Sequence, residues 1–111
     1  DRRGFERIFI DVPVEERVGK SSFYRVSSDL SVLGVSFERA FAHPKGTKVQ
    51  LRFTLPDGNE DKLIRTYGKV IGPLGDGGGM RIQFVGLHAN HAKRIGRFIA
   101  AALRRAKRQP K

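Results

Sequence analysis

From Lys48 to Leu55 the chain alternates without a break: Val49, Leu51, Phe53 and Leu55 are apolar, and Lys48, Gln50, Arg52 and Thr54 are polar. A period of two sends successive side chains to opposite sides of an extended backbone, so this stretch predicts a strand with one buried face. Pro56-Asp57-Gly58-Asn59 is a strong turn signal, and Leu63 to Ile71 supplies the return strand. Ile8, Ile10 and Val12 alternate with Phe9 and Asp11 and predict a strand with Pro13 near its end. Phe23 to Val26 begins another, Val35 and Phe37 mark a third, and Met80, Ile82 and Phe84 form the last after a loose loop at Gly75 and Gly77 to Gly79. The charged stretch from Glu15 to Lys20 ends in Gly19-Lys20 and predicts a turn. With no helix between them, these strands predict a mainly β, antiparallel barrel of six or seven strands rather than βαβ units.

The end of the chain changes period. Ile95, Phe98, Ile99, Ala102, Leu103 and Ala106 lie on one stripe of an α-helix over about residues 90–107, with Asn90 as its N-cap. The stripe suits closure of one end of the barrel; a partner-binding or dimerisation face is the alternative. Lys93, Arg94, Arg97, Arg104, Arg105 and Arg108 are then expected to face outward.

A chain of 111 residues with 39% hydrophobic residues and eight Phe supports one domain with a modest core. No run approaches the roughly 20 apolar residues of a membrane span, and Asp1-Arg2-Arg3 does not resemble a signal peptide. Without cysteine there is no disulfide, thiol chemistry or cysteine-based zinc site, and a cytoplasmic location is the simplest expectation. The single Met is Met80, so the chain has lost its initiator or was cut from something longer. Net charge is +11, but residues 1–76 contribute only +2 of it; nine basic residues and no acid follow Asp76. The excess therefore belongs mainly to the helix and tail, as a solvated face.

Catalysis finds little support. The three histidines, His43, His88 and His91, lie in a loop and around the helix start. A metal site from His88, His91 and Asp76 lacks any supporting pattern. There is no nucleophile elbow, and the glycine loop lacks the Lys-Ser/Thr of a phosphate loop. Glu15-Glu16 and Glu60-Asp61 sit in expected turns, where solvation is the default. The expectation is a non-enzyme without a metal.

Binding chemistry is better supplied. Arg3 and Arg7 are four residues apart, which on an extended chain points both the same way at roughly 13 Å; Gly4 favours a looser turn that would let the backbone wrap a ligand. A planar guanidinium donates in pairs and suits phosphate oxygens and the O6/N7 edge of guanine. In Asp29-Leu30-Ser31-Val32-Leu33-Gly34, Asp29 and Ser31 share strand parity. An ionised Asp only accepts, as the opposite edge of guanine requires, and Ser donates or accepts. Gly34 permits positive φ or a close backbone approach. Arg-x-x-x-Arg is weak alone, since Arg104 and Arg108 repeat it, and Asp, Ser and Gly also make ordinary turns.

In this order, with Gly79-Met80-Arg81-Ile82-Gln83-Phe84 as a closing strand, the chain resembles the PilZ domain family across most of its length. The resemblance implies a PilZ-like β-barrel with one C-terminal helix that binds cyclic di-GMP. Its site would comprise Arg2, Arg3, Arg7, Asp29, Ser31 and Gly34, and Arg2 is similar to residues in members that bind an intercalated cyclic di-GMP dimer. The domain would span 1–108: an arginine-containing switch segment at 1–7, barrel over about 8–86, the helix, then a basic tail at 109–111. Ligand binding would order residues 1–7 and signal to a neighbouring domain or protein partner. Two departures stand out. Leu33 occupies a position where many members have glycine, and Ile71-Gly72-Pro73 lacks the aromatic or arginine that stacks on an outer guanine, a contact left to Arg81 or the helix. The alternatives are a basic barrel that binds RNA or single-stranded DNA through its C-terminal cluster, and a PilZ-like protein-interaction domain without ligand. Against nucleic acid, Phe9, Phe23, Phe37, Phe53 and Phe84 mostly fit core phases, and Tyr24 and Tyr67 fit the barrel.

Overall fold

The computed structural model describes residues 6–58, 62–75 and 78–108. The strands in chain order are β1 (Ile8–Phe9), β2 (Pro13–Val18), β3 (Ser21–Val26), β4 (Asp29–Leu30), β5 (Gly34–Phe37), β6 (Lys48–Phe53), β7 (Ile64–Gly72) and β8 (Met80–Val85), followed by helix α1 (Ala89–Arg108). They form one 8-stranded sheet in the order β1-β4-β5-β8-β7-β6-β2-β3, antiparallel at every pairing. The sheet curls into a half-barrel.

Alternation decides which side chains enter it. Val49, Leu51 and Phe53 of β6, Ile64 and Val70 of β7, and Met80, Ile82 and Phe84 of β8 are buried on the inner face. Ile95, Phe98 and Ile99 bring the apolar stripe of α1 into the same core, with Ala102 and Leu103 packed at its margin. Each buried aliphatic or aromatic side chain contributes about 1.5–3 kcal/mol over its exposed state. Closure of the core is therefore the role of the helix stripe. Among the described residues no helix is long and apolar enough to cross a membrane.

The mainly β fold and the helix agree with the sequence reading; the strand count and several details differ. Residues 13–18, expected largely as a turn, form β2, with Val14 and Glu16 directed inward. The expected strand from Ile8 to Val12 shortens to Ile8–Phe9, and Asp29–Leu30 becomes a strand of its own. The local signal failed at β2 because a charged residue occupies a core phase. Glu16 is fully buried, and its Oε1 accepts from Arg25 Nε at 2.6 Å and lies 3.3 Å from His43 Nε2. The Arg25 guanidinium sits 5.0 Å from the Phe23 ring centroid, and Phe23 packs on His43. A charge can be buried when it is paired in this way.

The helix begins one residue earlier than expected and is capped differently. The Asn90 backbone N–H donates to Nδ1 of His88 at 3.1 Å, and the Ala92 N–H donates to the His88 carbonyl at 2.9 Å. His88, not Asn90, satisfies the first-turn donors. Nor does Arg94 project into solvent. Its Nε and Nη2 donate to Asp57 Oδ2 and Oδ1 at 2.9 and 3.0 Å, and Nη1 donates to the Lys62 carbonyl at 2.6 Å. This forked contact ties α1 to the connection between β6 and β7. Arg94→Ala should lower unfolding free energy by about 1.5–3 kcal/mol in urea titrations, the range for hydrogen bonds to charged groups. Arg97→Ala, on the exposed side of the helix, should change it by less than about 0.5 kcal/mol.

Candidate functional site

Strand register explains why a site forms on the outside of this sheet. Pairing aligns Ile8, Leu30, Val35, Ile82 and Val70 across β1, β4, β5, β8 and β7, and these point into the core. One residue away, Phe9, Asp29, Ser36 and Arg81 form the adjacent row, ending at Gly72. By pleat alternation this row belongs to the outer face. A register shift between Val70 and Gly72 interrupts it, and Ile71 is left 39% exposed there.

A groove of about 200 Å³ lies over this part of the sheet, lined by Arg7, Asp29, Ser31, Gly34, Ile71 and Arg81 together with Leu33, Val35, Ser36, Ile82 and Gln83. Arg7 Nη1 is 3.7 Å from Asp29 Oδ2, with the arginine half exposed and the carboxylate largely covered. Asp29 is held by its strand pairing on both sides, to Phe9 and to Ser36. Ser28 reinforces the arm by donating its hydroxyl to the Ser36 carbonyl at 3.1 Å.

Ser31 and Gly34 have structural duties of their own. The Ser31 hydroxyl oxygen accepts from the N–H groups of Leu33 and Gly34 at 3.0 and 3.3 Å, and the Ser31 N–H donates to the Gly34 carbonyl at 3.0 Å. These bonds close the turn from β4 into β5. The hydroxyl proton remains available for donation. Gly34 is required by close approach rather than by positive φ: a Cβ there would lie 2.1 Å from the Ile82 carbonyl oxygen and 3.1 Å from Gln83 Cα. The close neighbour is the backbone of β8, not open space over the groove.

Of the sequence-predicted site residues, Arg7, Asp29, Ser31 and Gly34 converge on this groove; Arg2 and Arg3 lie outside the described residues. Leu33 is 47% exposed and forms part of the wall. Among the described residues that line the groove, Arg81 comes from β8 and none comes from α1. Sequence reasoning missed Ser36 and Gln83. The alternation of Met80, Ile82 and Phe84 already places Arg81 and Gln83 outward, but only register sets them beside β5. Elsewhere, His88 and His91 have ring centroids 5.8 Å apart, and Asp76 lies outside the described residues. Among the described residues no group of three His, Cys, Asp or Glu is placed to hold a metal ion.

A curled antiparallel sheet with a helix-closed core and a charged groove on its outer face defines a small half-barrel domain whose site lies outside its core. The sequence matches the PilZ domain model over residues 1–101, and the chain belongs to the PilZ domain family. Several solved structures share the fold, and three of them illustrate the likeness. The inhibitor of motility of Bacillus subtilis (MotI/DgrA) aligns with TM-score 0.80 at 18% identity, covering 98% of this chain and 54% of that one. The PilZ domain of CeSA from a cellulose-synthesizing bacterium aligns with TM-score 0.63 at 21% identity, covering 87% and 97%. The PlzA protein of Borreliella burgdorferi, in complex with c-di-GMP, aligns with TM-score 0.55 at 11% identity, covering 96% and 54%. The chain thus spans about half the length of the Bacillus and Borreliella proteins. No curated protein sequence matches it.

Gly34→Ala tests the role of close packing. The added methyl has only backbone to displace, so β5 and β8 must separate, and stability should fall by about 1–3 kcal/mol in denaturant titrations. Unchanged stability would show that β5 can shift without cost.

Proposed function

We propose that this domain is a receptor for cyclic di-GMP, bound in the groove between the β4–β5 arm and β8. The observation that carries the reading is the convergence of Arg7, Asp29 and Arg81 on one groove in a chain of the PilZ family. The Borreliella relative, described in complex with c-di-GMP, supports it. Guanine offers acceptors at O6 and N7 and donors at its opposite edge. Arg7 can serve the first edge or a phosphate through its paired donors, and Asp29 can accept from the second. The 3.7 Å contact between them is then a resting pair, exchanged on binding for separate contacts to ligand.

The remaining residues take roles that follow from their geometry. The Ser31 hydroxyl holds the turn and donates to the ligand. Gly34 keeps β5 against β8, which sets the distance from Asp29 to Arg81. Arg81 supplies the planar cation that the end of β7 lacks, where Ile71 offers only an apolar edge. Arg2 and Arg3 grip the ligand from the N-terminal segment, Arg2 favouring an intercalated dimer. Ordering of residues 1–7 around the ligand passes the signal to a neighbouring domain or protein partner.

Titration calorimetry with cyclic di-GMP tests the site, with GMP as control. Arg7→Ala and Arg81→Ala each remove charge-assisted hydrogen bonds worth roughly 1.5–3 kcal/mol, so each should weaken binding about tenfold to a hundredfold. Asp29→Ala should cost as much by leaving guanine donors unpaired, and Asp29→Asn less, because the amide oxygen still accepts. Arg104→Ala combined with Arg108→Ala should leave affinity within about twofold. Equal binding by wild type and Arg7→Ala, or no binding by wild type, would refute the assignment.

A further inference from the structure

The outer face of β6 and β7 carries an arrangement that folding alone does not explain. Register sets Lys48 directly opposite Lys69, and Arg52 directly opposite Arg65, with Gln50 opposite Tyr67 between them. Like charges directly opposite each other on one face destabilise a sheet. Arg17 of β2 adds a further cation beside Gln50. Among the outward side chains of β2, β6 and β7, the one carboxylate is Glu15, which pairs with Arg52 at 3.5 Å. Lys48 and Lys69 have no carboxylate opposite them in either adjoining register, since the neighbour of Lys69 on β8 is Gln83.

This surface also has shape and an apolar element. Arg17, Gln50, Arg52, Arg65, Tyr67 and His88 line a shallow depression of about 460 Å³. Tyr67 is 62% exposed and Tyr24 82%, so these barrel residues present their rings on the outer surface. Successive outward residues on a strand are about 6.8 Å apart. The two basic pairs therefore lie about 13 Å apart, with an exposed aromatic ring midway.

We propose that the outer face of β6 and β7, with Arg17, binds single-stranded nucleic acid. The like-charged pairs contact backbone phosphates about two nucleotides apart, and Tyr67 stacks on a base between them. Regular cation steps along an extended hairpin suit a polymer with regularly spaced phosphates, and an aromatic ring among arginines is a stacking platform that accepts any base. An acidic protein surface would satisfy the charge but has no use for a ring held between the two pairs. The surface is separate from Arg7 and Asp29 and does not depend on the cyclic di-GMP assignment.

Fluorescence anisotropy with a labelled twelve-residue oligouridylate, repeated across salt concentrations, tests the proposal on the whole chain. Tyr67→Ala should weaken binding about fivefold or more. Lys48→Gln with Lys69→Gln should reduce the log-log salt slope by about 1.4, or 0.7 for each lost phosphate contact on a single strand. Arg65→Glu should abolish binding while raising Tm by about 2–5 °C, because it replaces a repulsive cross-strand pair with an attractive one. A merely structural arginine would not give that opposed pair of effects. Arg7→Ala should leave oligonucleotide binding unchanged. The proposal is overturned if wild type fails to bind, if binding survives Tyr67→Ala and Arg65→Glu but is lost with Arg104→Ala and Arg105→Ala, or if Arg7→Ala removes it. It is equally overturned if polyglutamate competes as well as unlabelled oligouridylate and Tyr67→Ala changes neither, which would assign the face to an acidic protein.

Discussion

The close approach of β5 to β8 at Gly34 is the constraint on which the site depends. A side chain there would collide with the Ile82 carbonyl, so only glycine lets the two strands hydrogen-bond at this register. That pairing joins segments nearly fifty residues apart in sequence and brings the turn at Ser31 beside Gln83 and Arg81. The β4–β5 turn is itself held by the Ser31 hydroxyl. The residues that give the Asp-x-Ser-x-x-Gly segment its appearance of a binding motif are thus also the ones that build the local backbone. In the proposed receptor, binding and folding would share these atoms.

A second constraint concerns charge at the other end of the sheet. Glu16 occupies a core phase of β2, where an apolar residue would be simpler. Burial of its carboxylate is tolerated because Arg25 and His43 contact one oxygen, and Phe23 packs against both partners. The cluster links β2 and β3 to the loop that carries His43. A buried pair of this kind adds little net stability compared with apolar packing, but removal of one partner leaves a stranded charge.

The two faces of the sheet divide the labour. The inner face, sealed by α1, holds the apolar contacts that stabilise the fold. An antiparallel sheet needs cover on only one side, so the outer face is available for ligand chemistry: the groove around Asp29 and Arg81, and the basic surface of β6 and β7. Lys69 and Gln83 are cross-strand neighbours, so the two areas adjoin. The excess positive charge that the sequence places in the helix and tail is only part of the basic character, because strand pairing collects cations from β2, β6 and β7 that are dispersed along the chain.

By itself the sequence determined the elements whose signal is local. Period-two alternation specified β6, β7 and β8, the apolar stripe specified α1, and the arginine and aspartate chemistry singled out Arg7 and Asp29 as candidates. It could not show β2, because Glu16 looks like a solvated turn residue until Arg25 and His43 are beside it. It misplaced the helix cap, because His88 reaches the Asn90 N–H only through the geometry of the turn, and it sent Arg94 outward when Asp57 holds it. It left Arg81 as one of two options and placed Tyr24 and Tyr67 in the barrel without saying which face they occupy. Periodicity tells which face of a strand a residue occupies, but not which strand lies next to it. Neighbours are set by long-range pairing, and only the tertiary structure decided that Asp29, Ser36 and Arg81 share a row and that Arg52 faces Arg65.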